Sequence, residues 1–230
     1  MKKARPSAIP AAAYSFCAKR IDKRRILWYN NTVNAVGFSD GQKGEAMQWE
    51  FRLLDRIQKH QNPFMDLFMP FCTKVGNGGF VWHLLSLLLI LPPPTRLAGF
   101  CTFFAEIFAA GFANLIVKPA AARIRPCNRR PEVDVRLKKR PKDYSFPSGH
   151  STTSFAGAVG GTVGMALSLG AVAAVVFGVL SVLLAACIAY SRMYLYVHYP
   201  TDVLCGVLLG IVFGATVPFG VAALYRILVA

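Results

Sequence analysis

Long apolar runs separated by short polar segments dominate the chain from residue 80 onward. An α-helix needs about 20 mostly apolar residues to cross the hydrocarbon core of a bilayer, and runs of that order recur here. We predict about five membrane-spanning helices, and the pattern allows a sixth. The five begin near residue 80 and cover 80–91 with its flanking glycines, 97–117, 150–169, 171–190 and 201–228.

The third of these runs, 150–169, is rich in Gly, Ala, Ser and Thr. Small residues let helix backbones approach one another closely, so we expect this helix at the centre of the bundle. Glu106 lies inside the second run. A carboxyl within a membrane is a candidate for function, but its distance from Lys118 favours a hydrogen bond between helices over a catalytic role.

Two shorter segments before the first span have the pattern of helices that lie at a membrane surface. Residues 49–62 are amphipathic, with the apolar side chains on one face. Phe64–Cys72 is apolar but far shorter than a span. We expect both to be interfacial helices. Residues 1–48 are basic and weakly patterned, which indicates a flexible or surface-lying tail, or one that binds anionic lipid headgroups.

Composition supports an all-α integral membrane protein with one membrane domain, residues 49–230. The chain is 54% hydrophobic and 16% charged, against about 25% charged in soluble domains, and its mean hydropathy is +0.42. The formal charge of +15 lies outside the apolar runs, where it meets anionic headgroups or an anionic substrate. The six cysteines show no paired spacing, so we interpret them as packing residues. We expect no metal, no other cofactor and no nucleic-acid partner, and the oligomeric state stays open.

Polar residues mark four of the junctions between spans. If spans two to five each cross once, alternating direction brings these junctions to the same membrane face. Lys118 ends span two, Ser148, Gly149 and His150 begin span three, Arg192 ends span four, and His198 and Asp202 begin span five. Scattered polar residues would not be expected to converge in this way, so we predict a single site.

The residue types at these junctions suit phosphate chemistry. Arg125 and Arg192 offer planar forks that bind two phosphate oxygens, and Lys118 is a point charge. Taken alone, the basic stretch from Lys118 to Arg125 would be better interpreted as an anchor at the membrane surface.

Ser148, Gly149 and His150 follow a proline and begin a helix. A helix N-terminus presents free N–H groups to an anion, and Ser148 either caps that helix or donates to the phosphate. His150 is placed to protonate a leaving oxygen, although a lone histidine here would more often be an ordinary interfacial residue.

His198 and Asp202 are four residues apart. A carboxylate at that spacing can accept a hydrogen bond from one ring nitrogen and leave the other as a nucleophile. We therefore expect His198 to attack phosphorus, His150 to act as the acid, and the cations to stabilise the transition state.

These residues form three linked motifs. They are Lys118-x6-Arg125-Pro126, Pro147-Ser148-Gly149-His150, and Ser191-Arg192-x5-His198-x3-Asp202. The set resembles the signature of the type 2 phosphatidic acid phosphatase superfamily over roughly residues 50–228. The resemblance implies a metal-independent lipid phosphatase with a phosphohistidine intermediate.

It also implies residue roles. His198 would be the nucleophile, His150 the acid and Asp202 the orienting partner. Phosphate would be bound by Lys118, Arg125, Ser148, Gly149 and Arg192.

Several functions fit this pattern. We favour hydrolysis of undecaprenyl diphosphate, with phosphatidylglycerophosphate or phosphatidic acid as alternative substrates. A protein of another class, which binds or transports a lipid without catalysis, would use the same pocket. A soluble vanadate-dependent haloperoxidase, whose site is related, is disfavoured by the apolar spans.

Two indications conflict about which face of the membrane carries the site. Five spans put the basic tail and the basic junctions on one face, which the positive-inside rule assigns to the cytoplasm. The family resemblance instead implies an extracytoplasmic site in a bacterial cell membrane. Because several of these bases serve phosphate in our interpretation, we expect the extracytoplasmic face.

Overall fold

The structure is a computed structural model that describes residues 40–137 and 139–229, with side chains from residue 48 onward. Most of the predicted N-terminal tail lies outside the described residues. Within them, every regular element is helical. The prediction of an all-α membrane protein is confirmed, and three described helical segments are long and apolar enough to cross a bilayer. These are Pro93–Arg129, Ala171–Tyr194 and Pro200–Val229.

Among the described residues, four helices precede the long polar connection, residues 118–149. They are α1 (Asp40–Lys59), α2 (Pro63–Val75), α3 (Phe80–Ile90) and α4 (Arg96–Gly111). Helix α4 continues through a π-helical turn, Phe112–Val117, into a last short turn, α5 (Lys118–Ala121). Ala122 then adopts a left-handed conformation with φ of 45°, which ends the helix. The chain thereby leaves the bundle directly after Lys118.

One further short helix lies within the connection, and three long helices follow it. They are the short α6 (Pro126–Arg129) and the long α7 (Gly149–Leu169), α8 (Ala171–Tyr194) and α9 (Pro200–Val229). The predicted bounds of α7 and α9 agree with these to within one residue. Helix α8 extends four residues beyond its predicted end at residue 190, so Arg192 lies in its last turn rather than after it.

The elements before the second span differ more from the prediction. Helix α1 begins nine residues before its predicted start at residue 49. Helix α3 has 11 residues, so it is only about 16 Å long and shorter than the hydrocarbon core. Its predicted extension into the preceding glycines takes the form of a 3-10 turn, Asn77–Gly79, because Gly78 and Gly79 adopt positive φ.

Helix α7 lies at the centre of the bundle, as predicted, and packs against α4, α8 and α9. The close approach of α9 depends on glycine. A Cβ atom at Gly206 would lie 2.7 Å from the carbonyl oxygen of Ser148, and one at Gly210 would lie 2.6 Å from that of Thr152. Both carbonyls belong to the N-terminal end of α7, so this packing fixes that end of α7 against the start of α9.

Candidate active site

The predicted site residues converge at one end of the bundle. A cavity of about 550 Å³ opens there. Six of the eight predicted residues line it, namely Lys118, Arg125, Gly149, His150, Arg192 and His198. Ser148 and Asp202 are buried and lie behind the wall.

His198 occupies the loop between α8 and α9 and is buried. Its Nε2 lies 2.8 Å from Nη1 of Arg125. Because a guanidinium can only donate, Nε2 must be the accepting nitrogen, and the ring proton of the neutral imidazole is on Nδ1. Burial lowers the pKa of His198 well below its ordinary value, and Arg125, Arg192 and Lys118 lower that pKa further. The imidazole is therefore neutral near pH 7, with an unprotonated nitrogen among cations.

Asp202 lies beside the other ring nitrogen. Its Oδ2 is 3.5 Å from Nδ1 of the neutral His198, which is too long for a well-formed hydrogen bond. The same Oδ2 accepts the backbone N–H of Tyr199 at 2.9 Å. Asp202 thus faces His198 from the first turn of α9, as the four-residue spacing predicted. The distance between Oδ2 and Nδ1 is longer than in the hydrogen bond that we expected.

Arg123 holds Asp202 in place, and sequence reasoning gave it no role. Its Nη1 donates to Oδ1 of Asp202 at 2.6 Å, and its Nη2 pairs with the buried carboxylate of Glu50 in α1. Its guanidinium also lies 3.9 Å from the ring centroid of Tyr199. Arg123 therefore joins α1, the long connection and α9 behind the cavity.

The start of α7 is positioned by Ser148. Its side-chain oxygen accepts from the backbone N–H of Ser151 at 3.4 Å and from the hydroxyl of Ser151 at 2.9 Å. Its own N–H donates to the carbonyl of Asp202 at 3.0 Å. Ser148 is the N-cap of α7, so capping is the structural role that its contacts support, and phosphate binding by its hydroxyl stays a prediction.

His150 faces the cavity from α7, and Arg192 faces it from α8. Nε2 of His150 lies 2.9 Å from Oδ1 of Asn77, in the 3-10 turn before α3. Arg192 is buried and donates through Nη1 to Thr73 at 3.2 Å. Its Nε has no hydrogen-bond partner among the described residues. A buried, unpaired donor in a cavity wall is suited to an anion.

Asp143 contacts two of the predicted phosphate-binding cations, and sequence reasoning did not identify it. Its Oδ2 accepts from Lys118 at 3.0 Å and its Oδ1 accepts from Arg125 at 2.9 Å. Burial alone would raise the pKa of Asp143, but Arg125 and Lys118 hold that pKa below its usual value. An ionised carboxylate therefore bridges the two cations that we predict to bind phosphate.

Replacing Asp143 with asparagine is expected to strengthen the binding of inorganic phosphate. The wild-type carboxylate competes with phosphate for Lys118 and Arg125, whereas an amide of the same shape carries no charge. The ion pairs are half-exposed on the Asp143 side and worth up to about 1 kcal/mol, so we expect Kd to fall about three- to five-fold. Calorimetric titration of the purified protein with inorganic phosphate measures this Kd.

Asp134→Asn is the matched control, because Asp134 is an exposed carboxylate of the same connection that does not line the cavity. Its Kd should equal that of the wild type. Weaker binding in Asp143→Asn would contradict the competition and would show that Asp143 instead orients the two cations.

The cavity continues away from the cations toward α3 and α4. Glu106 lines this part, together with Asn77, His83 and Asn114. The predicted hydrogen bond from Glu106 to another helix is not formed. Its Oε2 lies 3.3 Å from Nδ1 of His83 in α3, but neither carboxyl oxygen has a hydrogen-bond partner among the described residues. Among the residues that the structure describes, no group of three or more His, Cys, Asp or Glu side chains is arranged to hold a metal ion.

Comparison with known proteins gives a consistent result. The sequence model of the PAP2 superfamily matches residues 99–225. The chain is 30% identical to the undecaprenyl-diphosphatase of Sulfolobus acidocaldarius over 158 residues, which span 69% of this chain and 71% of that protein. It is 35% identical to the decaprenylphosphoryl-5-phosphoribose phosphatase of Mycobacterium tuberculosis over 145 residues, which span 63% of this chain and 74% of that protein.

Two solved structures share the fold. The PAP2-type phosphatidylglycerolphosphate phosphatase of Bacillus subtilis superposes with a TM-score of 0.64 over 88% of this chain and 94% of that chain, at 18% identity. LpxE of Aquifex aeolicus superposes with a TM-score of 0.57 over 74% of this chain and 94% of that chain, at 23% identity. The membrane-helix bundle is therefore common to all three proteins.

Proposed function

The chain belongs to the PAP2 superfamily and is a multi-pass membrane lipid phosphatase, and we propose that it removes the terminal phosphate of a polyprenyl lipid through a phosphohistidine on His198. One observation carries the mechanism. The buried Nε2 of His198 is unprotonated and lies 2.8 Å from Arg125, in a cavity that Lys118 and Arg192 also line. A neutral nucleophile inside a group of cations is suited to attack a phosphate that those cations hold.

In the first step, the Nε2 lone pair of His198 attacks phosphorus, and the bond from phosphorus to the leaving oxygen breaks. Arg125 gives up its contact with Nε2 and donates to the phosphate oxygens, together with Lys118 and Arg192. His150 enters this step as the protonated imidazolium and transfers its extra proton to the departing oxygen, which leaves its ring neutral. The carboxylate of Asp202 faces Nδ1–H and stabilises the positive charge that the ring gains.

In the second step, water attacks the phosphorus of the phosphohistidine. His150, now lacking the proton that it gave away, takes a proton from that water. The bond between phosphorus and Nε2 breaks, inorganic phosphate leaves, and His198 regains its neutral form. The backbone N–H groups at the start of α7 around Gly149, and in our proposal the hydroxyl of Ser148, add hydrogen bonds to the phosphate in both steps.

Two substrates of this class are supported by the relatives. Undecaprenyl diphosphate is supported by the 30% identical diphosphatase. A polyprenyl phosphosugar that carries a terminal phosphate is supported by the 35% identical phosphoribose phosphatase. In both substrates the cations would hold the scissile phosphate while the isoprenoid chain lies in the bilayer. Phosphatidylglycerophosphate and phosphatidic acid are alternatives that rest on the sequence interpretation alone.

Phosphate release by the purified protein in detergent tests the function. The substrates are undecaprenyl diphosphate, a polyprenyl phosphosugar phosphate, phosphatidylglycerophosphate and phosphatidic acid. We expect release from at least one of the polyprenyl lipids at a rate that a chelator does not change. Release from the two glycerolipids only would refute the polyprenyl class, and loss of activity with the chelator would refute a mechanism that needs no metal.

We further propose that the site faces the extracytoplasmic side of a bacterial cell membrane. The basic residues around it serve phosphate, so they do not report on the positive-inside rule. Glu132 is exposed in the same long polar connection that carries Arg125 and Asp143. In a variant that lacks the native cysteines, Glu132→Cys should react with a membrane-impermeant thiol reagent added to intact cells. Reaction only after permeabilisation would place the site in the cytoplasm.

A further inference from the structure

The cavity has a second polar end on α4. Glu106, Ala110, Asn114 and Lys118 follow at intervals of four residues and all line the cavity. With a rise of 1.5 Å per residue, Glu106 lies about 18 Å from Lys118 along the helix. The cavity therefore extends from the phosphate-binding cations into the bundle, and Glu106 marks its far end.

Glu106 is a buried carboxyl whose oxygens accept no hydrogen bond from any described residue. The nearest donor, Nδ1 of His83, is 3.3 Å from Oε2. That same nitrogen lies 2.9 Å from the carbonyl oxygen of Gly79, which can only accept, so its proton is directed there. A buried acceptor without a donor costs about 1 to 3 kcal/mol. Two such oxygens in a cavity wall are suited to hydrogen-bond donors on a ligand.

Gly79 makes room for this carboxyl. Its φ is 72°, and a Cβ atom there would lie 1.6 Å from Oε1 of Glu106. The carboxyl is thus packed against the Asn77–Gly79 turn. Asn77 in the same turn contacts Nε2 of His150. The polar end of the cavity is therefore continuous with the proposed acid.

The geometry of the reaction indicates which part of the substrate lies at the Glu106 end of the cavity. In an in-line displacement the nucleophile and the leaving group are on opposite sides of phosphorus. His198 attacks from one side, so the leaving group departs on the side of His150. The Asn77–Gly79 turn extends from His150 toward Glu106, so the leaving group of the substrate extends over this turn.

We propose that Glu106, with His83, forms a subsite that hydrogen-bonds to hydroxyl groups of the leaving group. The subsite selects lipids in which a polyhydroxylated group, such as a sugar, links the scissile phosphate to the lipid chain. A diphosphate would instead put a second phosphate beside the carboxyl oxygens. Among the described lining residues, the permanent cations Lys118, Arg125 and Arg192 all lie at the other end. This inference rests on the proposed function and decides between its two polyprenyl substrates.

Two substrates with the same decaprenyl chain test the proposal. One is decaprenylphosphoryl ribose 5-phosphate, in which a sugar carries the scissile phosphate, and the other is decaprenyl diphosphate. For the wild type we expect kcat/KM to be at least ten-fold higher for the phosphosugar. In Glu106→Ala this ratio should fall at least ten-fold, because the hydroxyl groups lose their acceptor.

Thr102→Val is the matched control. Thr102 is buried one turn before Glu106 in α4, donates within that helix to Ala98, and does not line the cavity. Its substrate ratio should equal that of the wild type. If Glu106→Ala does not fold, Glu106→Gln, which has the same shape and one acceptor, decides the matter, with an expected fall in the ratio of at least three-fold.

An equal loss for both substrates, or an unchanged ratio in the glutamine variant, would overturn the subsite and leave the phosphatase function intact. A wild-type preference for the diphosphate would also overturn it. The absence of release from either substrate in the wild type would instead refute the proposed polyprenyl phosphatase function, and the subsite with it.

Discussion

Replacing His198 with alanine is expected to abolish phosphate release, with kcat/KM falling on the order of 10⁴-fold or more, as for other residues that act directly on the reacting atoms. The substitution removes the Nε2 lone pair that lies 2.8 Å from Arg125 and faces the cavity. Water attacking directly would have to replace a nucleophile that is already desolvated and positioned. Steady-state phosphate release with the polyprenyl substrates measures the effect.

A second measurement links this loss to the intermediate. Wild-type protein quenched during turnover of a substrate labelled in its terminal phosphate should carry label that survives alkali and is lost in acid, as expected for a phosphorus–nitrogen bond. The His198→Ala variant should carry none. His60→Ala is the control, since His60 is exposed in the turn directly after α1 and does not line the cavity. Activity of His198→Ala within ten-fold of the wild type would refute the mechanism.

Replacing Arg123 with methionine is expected to destabilise the protein by about 3 to 5 kcal/mol, the usual cost of removing one partner from a buried ion pair. The variant leaves two buried carboxylates, Glu50 and Asp202, without their cation. For a chain of this size the change corresponds to a fall in Tm of roughly 10 °C. Thermal unfolding in detergent measures it, and activity should fall as well because Asp202 loses the contact that holds it beside His198.

Arg130→Met is the matched control for the buried position. Arg130 also pairs with a carboxylate, Asp55, and lies over an aromatic ring, but both charged side chains are at least one third exposed. Exposed ion pairs contribute about 0 to 1 kcal/mol. Its Tm should therefore fall by only a few degrees. Equal losses of Tm in the two variants would contradict the conclusion that the buried ion pairs of Arg123 stabilise the protein more than the exposed ion pair of Arg130.

The sequence was informative wherever contiguous residues carry the signal. Helices α7 and α9 were predicted to within one residue, because long apolar runs in a bilayer have helix as their stable form. Helix α1 was predicted too short, since its first residues lack an apolar face. Helix α3 was predicted as the start of a span, although its 11 residues do not reach across a bilayer. The sequence showed that α3 is apolar. Its length depended on the glycine turn before it and the three prolines after it, which together limit the helix.

The residues of the candidate site also fall into those that the sequence predicted and those that it did not. Lys118, Arg125, His150, Arg192 and His198 were identified from residue type and position at the ends of spans, and the fold brings them into one cavity. The motif of the basic junction selected Arg125 but gave no role to Arg123. Arg125 contacts His198, whereas Arg123, two residues earlier, pairs with Glu50, which is 73 residues away in the chain. Asp143 belongs to a connection without periodicity, so no pattern indicated its contact with Lys118.

The sequence by itself determined that this protein is a bundle of membrane helices, that its polar junctions meet on one face, and that a histidine there has cationic neighbours. Each of these conclusions follows from local hydropathy and from the alternating direction of successive spans. Only the tertiary structure decided that Arg123 supports Asp202, that Asp143 bridges the cations, and that Glu106 lines the same cavity as His198. Those contacts join segments far apart in the chain, and they depend on how closely the helices pack and on the path of the long connection, which local patterns do not encode.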